Sequence, residues 1–295
     1  MNQKSNYKIE IYIGLIGLII IHLFFIPQAF RGEVIDAEKA SKFGSFIGGY
    51  VGTLFALISV ILLYKTLKDQ KEASEIEKFE NRFFLLLSLH KNNTEEIILE
   101  KENGKKTFVH FIREFRSVFK KVCQEFDNST PIKDKINISY LFFFYGTGYN
   151  SRRILKSELS NYDEIKIDKI IKELSKDRKQ DKENGKKRKF KYYGGHQSRL
   201  GHYYRHLFQT VKYVHNKQLN IDKKEYVKIL RAQLSNHEQA IFALNSLSSI
   251  GREWNELGLI NEYEMIKNIP NEFFNPNNEF DLKTLFPKIT FEFEE

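Results

Sequence analysis

One cysteine, five prolines and one tryptophan occur in 295 residues. With Cys123 as its sole thiol, the chain cannot close an intrachain disulfide. That removes the disulfide-stapled secreted class and fits a reducing compartment. Scarce proline withdraws the strongest helix breaker and permits long uninterrupted helices. No HExxH motif occurs, so the common helical zinc-protease signature is missing. Acidic charge is in deficit as well: 47 Lys and Arg against 38 Asp and Glu leave a formal charge of +9. Such a chain attracts phosphates, and charge alone does not choose between nucleic acid and anionic lipid headgroups.

Two long stretches carry no charge. FGSFIGGYVGTLFALISVILLY, Phe43 to Tyr64, spans 22 residues. As a helix it would reach about 33 Å, enough to cross a hydrocarbon core of about 30 Å. YIGLIGLIIIHLFFIP, Tyr12 to Pro27, is slightly shorter, and Ile11 extends it. Lys4 and Lys8 ahead of it imitate a signal peptide, but a small-x-small cleavage site is weak and a second apolar run follows at once. The expectation is a two-helix transmembrane hairpin over 1–65, with spans at about 11–27 and 43–64, then a helical cytoplasmic domain over 66–295.

Gly44, Gly48, Gly52 and Ala56 recur every fourth residue in the second run. In water a helix-interior glycine costs about 1 kcal/mol against alanine. In lipid, small residues let helix backbones approach closely, and that contact drives association. The groove has two candidate occupants, the first span (through Gly14 and Gly17) or a second copy of the chain, and the sequence leaves both open. Orientation follows from basic flanks. The connecting loop carries Arg31, Lys39 and Lys42, while Lys4, Lys8, Lys65, Lys68, Lys71, Lys78 and Arg82 lie outside the hairpin. The excess outside predicts a two-pass membrane protein with both termini cytoplasmic.

The rest reads as mainly α. Lys65 to Glu102 continues the second span without Pro or Gly. Phe108, Phe111, Phe115, Val118, Phe119, Val122 and Phe126 recur at spacings of three and four, giving an aromatic-rich inner face. GTGYNS breaks the pattern before a helix near Arg152–Leu159; Tyr203–His215 and Lys223–Leu247 are predicted helices, and only Lys288–Phe293 alternates like a strand. Lys176 to Lys191 holds nine basic and three acidic residues. It reads as a solvated basic loop, with Lys186, Lys187, Arg188, Lys189 and Lys191 as candidate contacts to phosphates of lipid or nucleic acid.

After that run come YYGGHQSRLGHYYRHLFQTVKYV, YVKILRAQLSNHEQAIFALNSLSSIGREW and LINEYEMIKNIP. Together with FENRFFLLLSLHKNNTEEI, GKKTFVHFIREF and FFFYGTGYNS upstream, this ordered set resembles the AbiC-like family of phage abortive infection proteins over roughly residues 79–293. The resemblance implies antiphage defence and supplies no established catalytic chemistry.

The residues allow several readings. Arg199 and His206 have six residues between them, a spacing similar to that of HEPN-type ribonucleases, with His as acid or base and Arg stabilising phosphorane charge. Arg231 and His237 repeat it with five between, which shows how permissive the pattern is. His202 and His206 have zinc-ligand spacing, but His196 is a weak third ligand, so no metal and no cofactor is expected. The leading account is a polar patch joining helices, made of His90, His202, Arg205, His206, Tyr213, Arg231, Gln233 and Glu238.

The expected function is a membrane-anchored defence effector that senses infection, through a phage-derived trigger or a partner defence protein. It would act by homo-oligomerisation or membrane damage. A membrane-tethered, metal-independent RNase and a regulatory anchor for a separate toxic subunit are the alternatives. The topology is directly checkable: a reporter that works only outside the cytoplasm, fused after Glu295, should stay silent, and activity there would reverse the assignment.

Overall fold

The computed structural model describes residues 12, 14–20, 22–23, 30–31, 34–99, 102–183, 193–274 and 280–294. Lys186, Lys187, Arg188, Lys189 and Lys191 lie outside the described residues, as does part of the first apolar run. The chain divides into two compact units, Met1–Glu75 and Ile76–Glu295.

In the first unit, Tyr12, Gly14–Ile20, His22 and Leu23 are helical, and all but the two glycines are exposed. A two-residue antiparallel ladder, β1 (Phe30–Arg31) with β2 (Val34–Ile35), follows. Helix α1 (Ala37–Phe46) starts at Asp36, whose side chain accepts from the Lys39 amide as an N-cap. The helix therefore begins ahead of the uncharged run, and Lys39 and Lys42 pair with Asp36 and Glu38 within its first turns. A π-helical turn, Ile47–Val51, closes with the Gly52 amide donating to the Ile47 carbonyl, and α2 (Gly52–Glu95) continues from it.

Taken together, Ala37–Glu95 forms one helical stretch long and apolar enough to cross a membrane, with mean hydropathy 2.2 in its most apolar window and none of that window buried. Its large apolar side chains face outward; Leu57, Ile58, Val60 and Leu63 are each more than half exposed. Water would penalise such a surface, and hydrocarbon would not. Two hydroxyls inside the run and one just past it are satisfied locally. Thr53 donates to the Gly49 carbonyl, Ser59 to that of Phe55 and Thr66 to that of Leu62. In lipid this matters, because no water is there to take the donor. A Cβ added at Gly44 or Gly48 would meet nothing within 4 Å, so the small-residue groove is open among the described residues.

Among the described residues the regular structure of the second unit is helical, apart from a two-residue ladder between β3 (Ile98–Leu99) and β4 (Glu102–Asn103). Its helices are α3 (Lys106–Glu125), α4 (Ile132–Tyr145), α5 (Tyr149–Glu158), α6 (Glu164–Glu183), α7 (Gln197–His215), α8 (Lys223–Ala232) and α9 (Asn236–Leu247). Three single-turn helices follow: α10 (Glu253–Glu256), α11 (Leu259–Glu262) and α12 (Leu282–Leu285). Helix α4 is central because ISYLFFF leaves it no polar side, and every residue from Ile138 to Phe144 is buried. Ile136, Tyr140, Phe143 and Phe144 join one core with α3, α7 and α9; Ile138, Leu141 and Phe142 face a second with Leu155, Leu159, Ile170 and Leu174. All seven apolar positions expected on the inner face of α3 are buried.

Three expectations are corrected. Lys223–Leu247 is two helices, because Ser235 and Glu238 form a capping box that starts α9. Lys288–Phe293 is no strand. Ile289 and Phe291 are buried in alternation as expected, but the segment is a turn leading to a 3-10 turn at Glu292–Glu294, and among the described residues its main-chain bonds are local except for the Glu292 amide donating to the Lys267 carbonyl. The first half of the basic run is helix rather than loop, since α6 extends to Glu183.

The junction between α4 and α7 is set by glycine. Gly146 (φ 73°) and Gly195 (φ 84°) lie backbone to backbone, so that a Cβ on Gly146 would land on the Gly195 amide and a Cβ on Gly195 on the Tyr145 carbonyl. The Thr147 amide donates to the Tyr193 carbonyl at 2.9 Å and the His196 amide to that of Phe144 at 2.8 Å. Gly146→Ala should therefore cost roughly 2–4 kcal/mol. Gly148→Ala, where φ is −63° and the new atom meets only Ser151 Oγ at 3.6 Å, should be near neutral. Urea unfolding of the full chain in detergent, followed by the helical signal of both variants, checks the contrast.

Candidate functional site

Glu114 sits on the apolar stripe of α3, one turn from Phe111 and Val118, and is 4% exposed. A carboxylate there must find partners. Its Oε1 accepts from the Tyr193 amide at 2.9 Å, and its Oε2 lies 3.2 Å from His196 Nε2. Tyr193 has φ 62°, a left-handed conformation that a tyrosine adopts only when its surroundings hold it. Here the main-chain bonds to Glu114 and Thr147 do so, and the Tyr193 hydroxyl reaches Ser117 Oγ at 2.7 Å. His196 is wedged between the rings of Phe111 and Phe143, with centroids 4.6 and 4.8 Å away. This node fixes where α7 begins.

From that start α7 presents two faces. On the inner one, Tyr203 packs on His90 at 4.9 Å and its hydroxyl donates to Glu238 Oε1 at 3.3 Å. Glu238 Oε2 accepts from the Ser235 amide and hydroxyl at 2.8 and 2.7 Å. Burial pushes the Glu238 carboxyl above its ordinary range, against the pull of those donors. The His206 ring lies parallel to that of His90 with centroids 6.0 Å apart, and no ring nitrogen of either has a hydrogen-bond partner among the described residues. Burial, then the neighbouring His206 and Lys105, bring the His90 imidazole down to about 3. His206 is also lowered, by burial and then by His202. The two rings face each other, His90 buried and His206 partly so, and loss of solvent disfavours the charged form of each.

The other expected residues are dispersed. Arg205 faces outward with its Nε on the Gly201 carbonyl at 3.0 Å, and His202 is exposed. Tyr213 stacks on Phe79 at 5.3 Å under the Arg82 guanidinium. Arg231 donates to the carbonyls of Glu264 at 2.9 Å and Tyr263 at 3.3 Å, rather than to Glu238 or Gln233. Gln233 contributes its carbonyl, which accepts from Lys105 Nζ at 2.7 Å. Arg199 Nε holds the Ile98 carbonyl at 2.9 Å, and His237 packs edge-on against Phe273. Among the described residues, no three His, Cys, Asp or Glu side chains are grouped to hold a metal.

Sequence reasoning passed over Glu114, Tyr193, Lys105 and Ser235. The signal for Glu114 was available, since a lone carboxylate within a phenylalanine stripe needs a buried partner. SNHE likewise spells a capping box. Tyr193 carries no such mark, because only the folded junction gives it a left-handed backbone.

Outward-facing Gln197, Gly201, Arg205, Gln209 and Lys212 form one wall of a cleft of about 550 Å³. Asn245, Gly251, Glu253 and Trp254 form the opposite wall. Phe144, Tyr204 and Phe208 make its floor.

Residues 195–274 match the family model described as "putative phage abortive infection protein". The matched stretch runs from the Gly195 contact to Phe274 and takes in α7, α8 and α9; the upstream blocks that resemble the family lie outside it. No curated protein and no solved structure matches the chain.

The buried histidine layer predicts a pH response. His90 has a folded value far below its ordinary 6.5, so the unfolded chain binds a proton that the folded chain refuses between those values. Stability should fall as pH drops below about 6.5, by up to about 1.4 kcal/mol per pH unit from this group. His90→Phe, which keeps a ring and removes the proton site, should flatten that slope by close to one proton in denaturation measured from pH 5 to 8. An unchanged slope would remove His90 as its source.

Proposed function

We propose that this protein is a membrane-anchored effector of abortive infection, working at the cytoplasmic face of the bacterial inner membrane. The match of residues 195–274 carries the reading, and it supports a role in phage abortive infection. The outward-facing apolar helix over Ala37–Glu95 supports the anchor. The open groove at Gly44, Gly48, Gly52 and Ala56 supports an output through association of copies, since close helix contact in lipid needs small residues and Gly44 and Gly48 have nothing within 4 Å. Basic residues from Lys186 to Lys191 add positive charge suited to anionic headgroups.

In this reading the helical unit senses infection or a partner defence protein. The resulting assembly damages the membrane and stops phage replication. A metal-independent RNase has less to rest on. The ring nitrogens of His206 are buried, which leaves a general acid or base role for that histidine without support.

The test follows membrane potential and RNA integrity together in infected cells carrying the protein, with phage plating as the measure of defence. Depolarisation ahead of RNA loss is the expected order. The double variant Gly48→Leu, Gly52→Leu should keep its membrane level and lose crosslinked oligomers, and plating should recover at least about tenfold, since bulk is added where backbones would meet. RNA cleavage preceding depolarisation would replace this reading with the enzyme one. Unchanged crosslinking and defence in the double variant would remove the groove from the mechanism.

A further inference from the structure

We propose that the cleft along the outer face of α7 is a nucleotide-binding site. Its walls come from the Ile76–Glu295 unit alone, and all but Phe144 and Tyr145 lie within the family-matched stretch.

The first ground is the glycine at its base. Gly201 is inside a helix, where alanine would be better by about 1 kcal/mol. Its backbone is ordinary helix, and a Cβ there would meet nothing nearer than Phe144 Cζ at 4.0 Å. Packing does not ask for glycine at this position. What glycine does is deepen the cleft by the volume of a side chain. Gly251, on the opposite wall, differs: a Cβ there would strike the Asn245 carbonyl, so that glycine is needed to fold the 3-10 turn Ser249–Gly251 onto the end of α9. That turn places Glu253 and Trp254 across from α7.

The second ground is the chemistry of the lining. Arg205 and Lys212 are seven residues apart on one helix face, about 10 Å along the axis. Arg205 spends only its Nε on the Gly201 carbonyl among the described residues, and Lys212 Nζ stands 5.4 Å over the Phe208 ring. Glu253 is the one carboxylate in the lining among the described residues, against two cations, so that lining is net positive. Phosphate suits this wall. A bare phosphate would make no use of the floor, where Phe144, Tyr204, Phe208 and Trp254 supply apolar surface for a flat ring. An acyl chain would make no use of the two cations, nor of the amides of Gln197 and Gln209, which suit the donors and acceptors of a base. A volume of about 550 Å³ accommodates a nucleotide.

The chain carries its own probe, because Trp254 is its sole tryptophan and lines the cleft. The experiment titrates the purified full chain in detergent with ATP, GTP, adenosine and inorganic phosphate, reading Trp254 emission. One of the nucleotides should give a saturable change, with adenosine and phosphate at least about tenfold weaker. Arg205→Gln and Lys212→Gln should each raise its Kd about tenfold, the equivalent of 1.4 kcal/mol. Gly201→Ala should raise the melting temperature and weaken binding. Gly201→Leu should abolish binding, and the alanine variant decides the matter if the leucine variant fails to fold. No saturable change with either nucleotide overturns the proposal. So does phosphate binding as tightly as both, or Gly201→Ala binding as wild type does. Binding is read apart from defence, so failure here leaves the membrane-effector reading intact, and the reverse holds too.

Discussion

A buried carboxylate in a phenylalanine stripe governs the helical unit. Glu114 would be costly where it stands without the Tyr193 amide and the His196 ring beside it. Those two partners flank Gly194 and Gly195, and the Gly195 backbone can approach only because Gly146 is bare as well. Removing any one of these components disturbs the rest. The carboxylate would lose the Tyr193 amide that donates to it, or the glycine contact would open, or Tyr193 would relax from its left-handed conformation. The outcome is positional: α7 starts at one place and in one rotation, and both faces of α7 depend on that.

Those faces differ in kind. The inner one is a polar layer in which Tyr203, Glu238 and Ser235 satisfy one another while burial lowers the proton affinity of His90 and His206. Its chemistry is inward, and its nitrogens are withdrawn from solvent. The outer face is open, cationic and floored with rings. A helix that reads in sequence as one histidine- and arginine-rich patch thus turns the His206 nitrogens inward and leaves His202 and Arg205 outside, because residues one apart on a helix point about 100° away from each other.

Much of this was legible beforehand, and the misses have physical reasons. Period alone gave the inner face of α3, because phenylalanine at three- and four-residue spacing has one way to be buried. Period misled at Lys288–Phe293, where Ile289 and Phe291 alternate into the core but no neighbouring strand takes the main-chain hydrogen bonds. Apolar continuity also hid the break between α8 and α9, since the cap at Ser235 acts through main-chain donors and interrupts no hydrophobic pattern. The site was harder. Arg231 reaches Tyr263 and Glu264, more than thirty residues downstream, and spacing along one helix carries no information about such a partner. The cleft was invisible for a similar reason: its walls come from α7 and from the turn after α9, and only Gly201, a glycine where a helix has no use for one, hints at it.

The π-helical turn at Ile47–Val51 bears on how straight the apolar helix can keep its small residues. On a regular α-helix, four residues overshoot one turn by about 40°, so Gly44 and Ala56 would drift about 120° apart around the axis. A turn closed from the Gly52 amide to the Ile47 carbonyl takes up one extra residue, and with it about 100° of rotation. The drift between Gly44 and Ala56 shrinks to about 20°, and the four small residues stay within a sector of about 60° instead of about 120°. A single wide turn thus acts as a phase correction, like a leap day in a calendar whose years do not divide evenly.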